Sequence, residues 1–291
     1  KKVENLKNEV RDFIDNEIRP NESKYQKQME DGGRWCVPPI MEEMKTKAKA
    51  EGLWNFFLPG YEGEFGTGLT NFEYSHLAEK MGAVGIASEV FNCSAPDTGN
   101  MEVLERYGTE EQQEEWLKPL LAGEIRSAFG MTEPGVASSD ATNMAATAVL
   151  DGDEYVINGS KIWTSLGSYA KYMILIARTS NEGSSKYAGL SFFLAPMDAE
   201  GVEPRPIKKL TGEYGFCQTF FNDARIPATS LMGKEGEGWK VAMATLMFER
   251  GATGGQAGGL AMMDLGINDI VELARRTKRN GRPAIEDNHV R

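Results

Sequence analysis

The chain has 291 residues, of which 41% are hydrophobic and 26% charged, and its formal net charge is −11. This composition is typical of a soluble globular protein with roughly two domains and enough residues for a buried core. The acidic balance argues against nucleic-acid binding as the main role, and no apolar stretch approaches the roughly 20 residues of a membrane helix. No N-terminal apolar segment is typical of a signal peptide.

The few cysteines and histidines disfavour several kinds of site. The three cysteines, Cys36, Cys93 and Cys217, lie far apart and show no metal-ligand spacing. With only two histidines, His76 and His289, both a zinc site and a Ser-His-Asp hydrolase are disfavoured. The sequence therefore predicts no metal site, and it predicts reduced thiols as in intracellular proteins.

Residues 1–123 have the apolar spacing of a helical domain. The first helix is expected to end at Pro20, because proline interrupts the helical hydrogen-bond pattern. Thr109 followed by Gln112 is typical of a capping box at a helix start. Further helices are predicted over residues 41–50, 72–81, 100–107 and 109–121, with a glycine-rich loop over residues 59–68.

Residues 124–232 have the pattern of a small β domain, which we expect to be a barrel or a sandwich. Turn signals separate the runs at Asp151-Gly152-Asp153 and at Asn158-Gly159. The β-rich runs lie at residues 145–150, 155–158, 172–178, 190–195 and 218–221.

Residues 233–291 return to a helical pattern, so the fold class is α+β with the order α, β, α. This last part is short and is interpreted as the start of a C-terminal helical domain. Each interior glycine weakens a helix by about 1 kcal/mol relative to alanine, so many glycines indicate either a close ligand or backbone, or tight helix packing. The helix predicted from Gly238 contains Gly251, Gly254, Gly255, Gly258 and Gly259.

Two segments are rich in groups that suit a cofactor. Residues 129–143 follow a predicted strand and offer hydroxyls and backbone N–H groups, which suit the edge of a flat heterocycle or a pyrophosphate. Residues 157–165 place the indole of Trp163 beside two hydroxyls. On the residues alone, an ordinary hairpin loop and a core tryptophan are the alternatives.

Together these segments resemble the flavin-binding signatures of the acyl-CoA dehydrogenase family. The family pattern TEPxxGSD stands here as Thr132-Glu133-Pro134 followed by Ser139-Asp140, and the pattern INGxKxWIT/S covers residues 157–165. The amino-acid sequence of the first segment is one residue longer than the common pattern. It is most similar to the subgroup that holds family members ten and eleven. Other segments similar to the family lie in the same order at residues 59–68, 104–120, 221–227 and 236–239.

The resemblance implies FAD as cofactor and a fatty acyl-CoA thioester as substrate, which is dehydrogenated to the trans-2-enoyl-CoA in fatty-acid β-oxidation. A base removes the α-proton while hydride leaves the β-carbon for flavin N5, and loop N–H groups and hydroxyls hold the polar edge of the flavin. By position, the resemblance assigns cofactor contacts to Phe129, Met131, Thr132, Ser138, Trp163, Thr164 and Ser165.

The resemblance leaves the catalytic base open between two positions. A minority of family members carry the glutamate on the first long helix of the C-terminal domain, directly before an arginine, which makes Glu249 a candidate base. Most members carry it later, in a region that would follow Arg291. Arg250 and Ser139 would contact substrate, although the extra residue in the first signature leaves the choice between Ser138 and Ser139 open.

The sequence is further interpreted as C-terminally truncated, because the arginine-rich turn at residues 276–281 lacks the aromatic residue of the family and the last bundle helices are missing. The exposed helix face that results favours association. The resemblance implies an electron-transferring flavoprotein as acceptor, a homotetramer or homodimer when complete, and the bacterial cytoplasm or the mitochondrial matrix. The alternatives are an acyl-CoA oxidase or flavin monooxygenase of the same fold, a non-catalytic acyl-CoA-binding or assembly protein, and a scaffold without cofactor.

Overall fold

A computed structural model describes residues 2–33, 35–58, 67–137, 143–181, 187–252 and 267–290. Over these ranges helices come first, a β-sheet follows, and helices return at the end, which confirms the α+β fold class. The domain limits at residues 123 and 232 stay predictions. None of the helices in the described ranges is both long enough and apolar enough to cross a membrane.

The N-terminal part consists of helices packed around one apolar core. Helix α6 lies at its centre, and every residue from Asp97 to Leu104 is buried. Thr109 caps α7 as predicted, because its hydroxyl accepts the N–H of Gln112 while the Gln112 side chain accepts the N–H of Thr109. The helices are α1 (Lys2–Phe13), α2 (Glu22–Gly32), α3 (Pro39–Ala50), α4 (Asn71–Met81), α5 (Ala87–Val90), α6 (Asp97–Tyr107), α7 (Glu110–Gln112) and α8 (Lys118–Leu121).

The expectation that the first helix ends at Pro20 is wrong. After α1 the backbone forms a π-helical turn over Ile14–Ile18 and a 3₁₀ turn over Arg19–Asn21, and it then enters α2. Pro20 sits in the first turn of the 3₁₀ segment, where the fixed φ of proline is compatible with helical backbone. Helical backbone therefore continues through the proline with a change of pitch.

The β part is one eight-stranded sheet with the order β6-β7-β3-β2-β4-β5-β8, and β1 lies parallel to β4. Edge strand β6 was not predicted because it contains Pro204 and Pro206, and prolines are tolerated at a sheet edge, where no neighbour needs their N–H. The strands are β1 (Ser127–Gly130), β2 (Thr147–Asp151), β3 (Glu154–Ser165), β4 (Tyr172–Arg178), β5 (Leu190–Pro196), β6 (Val202–Lys208), β7 (Tyr214–Pro227) and β8 (Leu231–Met232).

Strand β4 is buried on both faces and separates two apolar cores. Its residues Tyr172, Ile174 and Ile176 pack with the helices. The alternate residues Met173, Leu175 and Ala177 pack in a second core with side chains from β3, β5 and β7. Because distant strands of one sheet contribute to this second core, the sheet curls around it like a barrel.

The predicted turn at Asn158-Gly159 is wrong, because both residues lie in the middle of β3. The Asn158 side chain bonds across the sheet, donating to the Asp223 carboxylate at 2.9 Å and accepting the Asp223 N–H at 3.0 Å. Gly159 has φ +135°, and a Cβ there would lie 2.8 Å from the Cα of Ala146. Glycine is needed for this close passage, whereas Gly152 lies in the β2–β3 connection, as predicted.

The C-terminal part begins with α9 (Gly238–Ala252), which packs against α6 and β5. Of the glycines predicted in this helix, Gly251 lies in α9, and the four from residue 254 onward lie outside the described residues. A second helix, α10 (Ile267–Arg276), is followed by a hairpin of β9 (Lys278–Arg279) and β10 (Arg282–Pro283). No residue of α10 is buried against the described part of the chain, and the large apolar side chains of Ile267, Ile270 and Leu273 stay exposed.

Candidate cofactor site

The two signature segments meet where β1 ends beside β3. Phe129 is half-buried in β1, with its ring centroid 6.3 Å from that of Phe192. Met131 and Thr132 follow the strand and are half-buried. The N–H of Ile162 in β3 donates to the Thr132 carbonyl at 2.8 Å. This hydrogen bond brings the first group of predicted cofactor contacts alongside the second.

Trp163 is an outward-facing residue, so the alternative of a core tryptophan is wrong. Relative to its partners in β7, strand β3 has one extra residue between Lys161 and Thr164. Trp163 takes up this bulge with φ 61°, a conformation that is strained for a non-glycine residue. Its side chain is 56% exposed, and its ring meets Phe216 edge-on at 6.2 Å.

The neighbours of Trp163 add hydroxyl groups to this region. Thr164 is buried, and its hydroxyl has no hydrogen-bond partner among the described residues. Ser165 is half-buried and ends β3. An exposed indole face with hydroxyls from Thr132 and Ser165 provides apolar contact together with hydrogen-bond donors and acceptors. This set of groups fits the polar edge and flat ring of an isoalloxazine.

A buried ion pair that sequence reasoning did not assign joins the two segments. The Lys161 ammonium donates to the Glu133 carboxylate at 2.8 Å and to the Met131 carbonyl at 3.1 Å. The same carboxylate accepts the N–H groups of Ala145 at 2.7 Å and Ala146 at 3.0 Å. Loop 131–137, the residues directly before β2, and strand β3 therefore share one charged contact.

The sequence held a signal for this pair. Lys161 follows Tyr155 and Ile157 at even spacing, which places it on the inward face of the strand. A lysine at an inward position requires a buried partner, and Glu133 of the other signature segment supplies it. Burial lowers the pKa of Lys161 to about 8, although the charge of Glu133 acts in the opposite direction.

A second buried cluster, also missed from the sequence, fixes β1 to α6. Arg126 is ion-paired with Asp97 and Glu89 and donates to the Ser94 hydroxyl at 3.2 Å. Asp97 also accepts the Ser127 N–H at 2.7 Å. Burial acts to lower the pKa of Arg126, but the carboxylates of Asp97 and Glu89 raise it. The cluster fixes the start of the strand that leads into Phe129.

The remaining predicted site residues are only partly placed. Ser138 and Ser139 lie outside the described residues. Glu249 and Arg250 belong to α9, and their side chains lie outside the described part. The assigned roles of these four residues stay predictions. Within the described ranges, no three His, Cys, Asp or Glu side chains are grouped so that they could hold a metal ion.

Three family models match the chain in succession. The acyl-CoA dehydrogenase N-terminal domain matches residues 1–124, the middle domain residues 128–224 and the C-terminal domain residues 236–291.

Curated relatives include the family subgroup indicated by the first signature. Acyl-CoA dehydrogenase family member 10 of Mus musculus is 44% identical over 253 residues, 84% of this chain and 24% of that protein. Family member 11 of Gallus gallus is 44% identical over 250 residues, 81% of this chain and 31% of that protein. The probable acyl-CoA dehydrogenase FadE2 of Mycobacterium tuberculosis is 48% identical over 216 residues, 72% of this chain and 52% of that protein. The chain thus spans between 24% and 52% of the length of these relatives.

Solved structures have the same fold. A Mycobacterium abscessus protein described as an acyl-CoA dehydrogenase superposes with a TM-score of 0.83 at 40% identity, over 98% of this chain and 72% of that one. The acyl-CoA dehydrogenase of Geobacillus kaustophilus gives 0.75 at 26% identity, over 100% of this chain and 73% of that one. A chain in the structure of the electron transferring flavoprotein of Acidaminococcus fermentans gives 0.75 at 25% identity, over 99% of this chain and 72% of that one. With three successive domain matches and a 40% identical structural relative, this chain belongs to the acyl-CoA dehydrogenase family.

Proposed function

We propose that the chain forms the FAD-binding part of an enzyme that dehydrogenates a fatty acyl-CoA thioester to the trans-2-enoyl-CoA. The observation that carries the proposal is the junction of the two signature segments, where the Ile162 N–H binds the Thr132 carbonyl beside the exposed Trp163 ring. Family membership supports the cofactor and the type of reaction.

In this proposal the chain's residues hold and cover a flat cofactor. When bound, FAD would supply the acceptor for the hydride that leaves the substrate β-carbon. Phe129, Met131 and Thr132 would contact the ring and its pyrimidine edge. Trp163 and Ser165 would cover the ring, with the Ser165 hydroxyl near N5. Thr164 would contribute the buried hydroxyl next to them, and Ser138 would lie near the phosphates.

The proton is removed by a carboxylate in this scheme. The thioester carbonyl acidifies the α-carbon, so a glutamate oxygen can take the α-proton as the hydride leaves. We propose Glu249 of α9 as this base, with a glutamate after Arg291 as the alternative. Arg250 and Ser139 would contact the substrate.

We infer that the complete protein passes its electrons to an electron-transferring flavoprotein. The similarity to a chain in the Acidaminococcus fermentans structure supports this partner. The exposed apolar side chains of α10 support a homotetramer or a homodimer. Relatives come from a bacterium and from animals, which fits the bacterial cytoplasm or the mitochondrial matrix.

The test is the visible spectrum of the full chain after incubation with FAD and removal of free cofactor. Short, medium and long saturated acyl-CoAs are then added without oxygen. We expect a flavin band that bleaches with one class of chain length. Glu249→Gln should keep the flavin and lose the bleaching. Glu272→Gln, which removes a carboxylate from exposed α10, should behave like the unchanged chain.

Each other outcome contradicts a separate part of the proposal. A chain without bound flavin contradicts the cofactor assignment. Bound flavin that no acyl-CoA bleaches contradicts catalysis by this chain and favours a non-catalytic acyl-CoA-binding protein. Rapid reoxidation by oxygen favours an oxidase or a monooxygenase. Bleaching that survives Glu249→Gln places the base elsewhere.

A further inference from the structure

The ion pair of Lys161 and Glu133 connects chain segments that lie far apart in sequence. Glu133 follows β1, and its carboxylate binds the N–H groups of Ala145 and Ala146 directly before β2. Lys161 lies in the middle of β3 and bonds both Glu133 and the Met131 carbonyl. Residues 131–133 are therefore held against both 145–146 and β3.

The pair is buried, and each charged group has several partners. Lys161 is fully buried and Glu133 is only 6% exposed. Besides Glu133 and Met131, the ammonium lies 3.6 Å from the sulfur of Met144. A buried pair of this kind adds little net stability compared with apolar side chains, because removing both charges from water offsets their attraction. Its directional bonds do, however, fix where Met131 and Ala145 sit relative to β3.

We propose that Lys161 and Glu133 are positioning residues for the cofactor, which hold residues 131–133 in the conformation that receives the polar edge of the flavin ring. This inference rests on the proposed function. Its structural basis is the place of Lys161 between two predicted cofactor contacts. The Lys161 ammonium donates to the carbonyl of Met131, and Lys161 lies two residues before Trp163.

The informative variant is the double substitution Glu133→Gln with Lys161→Met. It leaves no unpaired charge in the interior, and the glutamine oxygen can still accept one backbone N–H, so we expect the chain to fold. It removes the link from β3 to Met131. We expect FAD affinity to fall by about tenfold or more, which is the effect of losing one good hydrogen bond.

The control is Lys171→Met, which removes an exposed lysine directly before β4 that pairs with Asp198 after β5. Three quantities are measured for the unchanged chain, the double variant and the control. These are the midpoint of thermal unfolding, the Kd for FAD by titration of tryptophan fluorescence, and the hydrogen exchange of individual amides without FAD. We expect the N–H groups of Ala145, Ala146 and Ile162 to lose protection in the double variant alone.

The outcomes separate this inference from the proposed function. A double variant with an unchanged Kd for FAD overturns the positioning role. Unchanged exchange at Ala145 and Ala146 overturns the role of the pair in holding these segments. If the unchanged chain binds no FAD, the proposed function fails, and the exchange measurement still decides whether the pair holds the loop. Lower FAD affinity with loss of protection confined to these amides supports the proposal.

Discussion

Arg126 is a buried cation whose charge is balanced by side chains from the helical part of the chain. Asp97 of α6 and Glu89 of α5 both pair with it, although it belongs to the segment that enters β1. Asp97 is itself buried. Removing the arginine would leave an uncompensated negative charge in the interior, which is more costly than losing the attraction alone.

We expect Arg126→Met to lower the free energy of unfolding by about 3–5 kcal/mol. Arg225→Met should lower it by less than about 1 kcal/mol, because Arg225 pairs with Asp151 and Glu154 on an exposed surface. Urea unfolding of both variants measures the difference. If both variants lost the same free energy of unfolding, burial of the Arg126 ion pairs would make no difference to stability.

Glu102 is a buried carboxyl without a charge partner among the described residues. It lies in α6, and one of its oxygens has no hydrogen-bond partner in the described part of the chain. Burial and, to a smaller extent, the charge of Glu105 raise the pKa of Glu102 to about 8. The folded chain therefore keeps a proton that the unfolded chain releases near the ordinary pKa of 4.5.

This proton makes stability depend on pH. Between pH 4.5 and about 8 the folded state binds more protons than the unfolded state at this site, so its contribution to stability falls as pH rises. The fall approaches about 1.4 kcal/mol per pH unit. We expect Glu102→Gln to remove this pH dependence. The free energy of unfolding of the variant, relative to that of the unchanged chain, should therefore rise from pH 5 to pH 8. Glu79→Gln is the exposed control, and a constant gap between Glu102→Gln and the unchanged chain would contradict the assignment.

At the residue scale, the sequence predicted side chains that carry a recognisable pattern and missed those defined by burial. Trp163 and Thr132 were assigned to the cofactor site because their segments resemble family signatures, and that assignment stays a prediction. Lys161, Arg126 and Glu102 were not assigned roles, because a charged residue in a sequence is expected at the surface until its partners are known. For Arg126 and Glu102 only the fold shows the burial, whereas the even spacing of Lys161 from Tyr155 and Ile157 was a signal in the sequence that was not used.

At the scale of elements, strand β4 was predicted with its limits and longer strands were predicted only in part. Strand β4 is a continuous apolar run, the pattern of a strand buried on both faces. Strand β7 was predicted only over residues 218–221, and strand β3 was cut short because Asn158 and Gly159 have the composition of a turn. Their side chains and backbone instead form an irregularity within the sheet. Composition alone cannot separate a turn from a bulge.

Substitution of Gly159 tests whether this irregularity in the sheet requires a glycine. We expect Gly152→Ala to lower stability by about 1–2 kcal/mol, because the position has φ +66° but nothing within 4 Å of the new methyl group. Gly159→Ala should lose about 1–3 kcal/mol more, because its methyl group would meet the backbone of Ala146. The thermal unfolding midpoints of the two variants compare backbone strain alone, at residue 152, with backbone strain and a steric clash together, at residue 159. Equal midpoints would show that the backbone at Ala146 shifts freely away from β3.

At the scale of the whole molecule, the order of helices, sheet and helices was predictable from the change in hydrophobic period along the chain. The sequence did not predict how the helices and the sheet would pack around a shared core. Periodicity shows that a segment has an apolar face, but it does not show which other segment covers that face. The assignment of alternate β4 side chains to two cores is information that only the three-dimensional structure contains.

The position of β4 between the two cores has a consequence for unfolding. If the helices separated, Tyr172, Ile174 and Ile176 would lose their contacts, and the strand that supports Met173 and Leu175 would be exposed on one side. We therefore expect a single transition, with the same midpoint by circular dichroism at the helical band and by aromatic absorbance. Leu175→Ala, a change on the β side with a cost of about 2–5 kcal/mol, should lower both midpoints together. Two separate midpoints would contradict this coupling; a shared one would mean that the helical and β parts form one cooperative unit, so that neither persists as a partly folded intermediate.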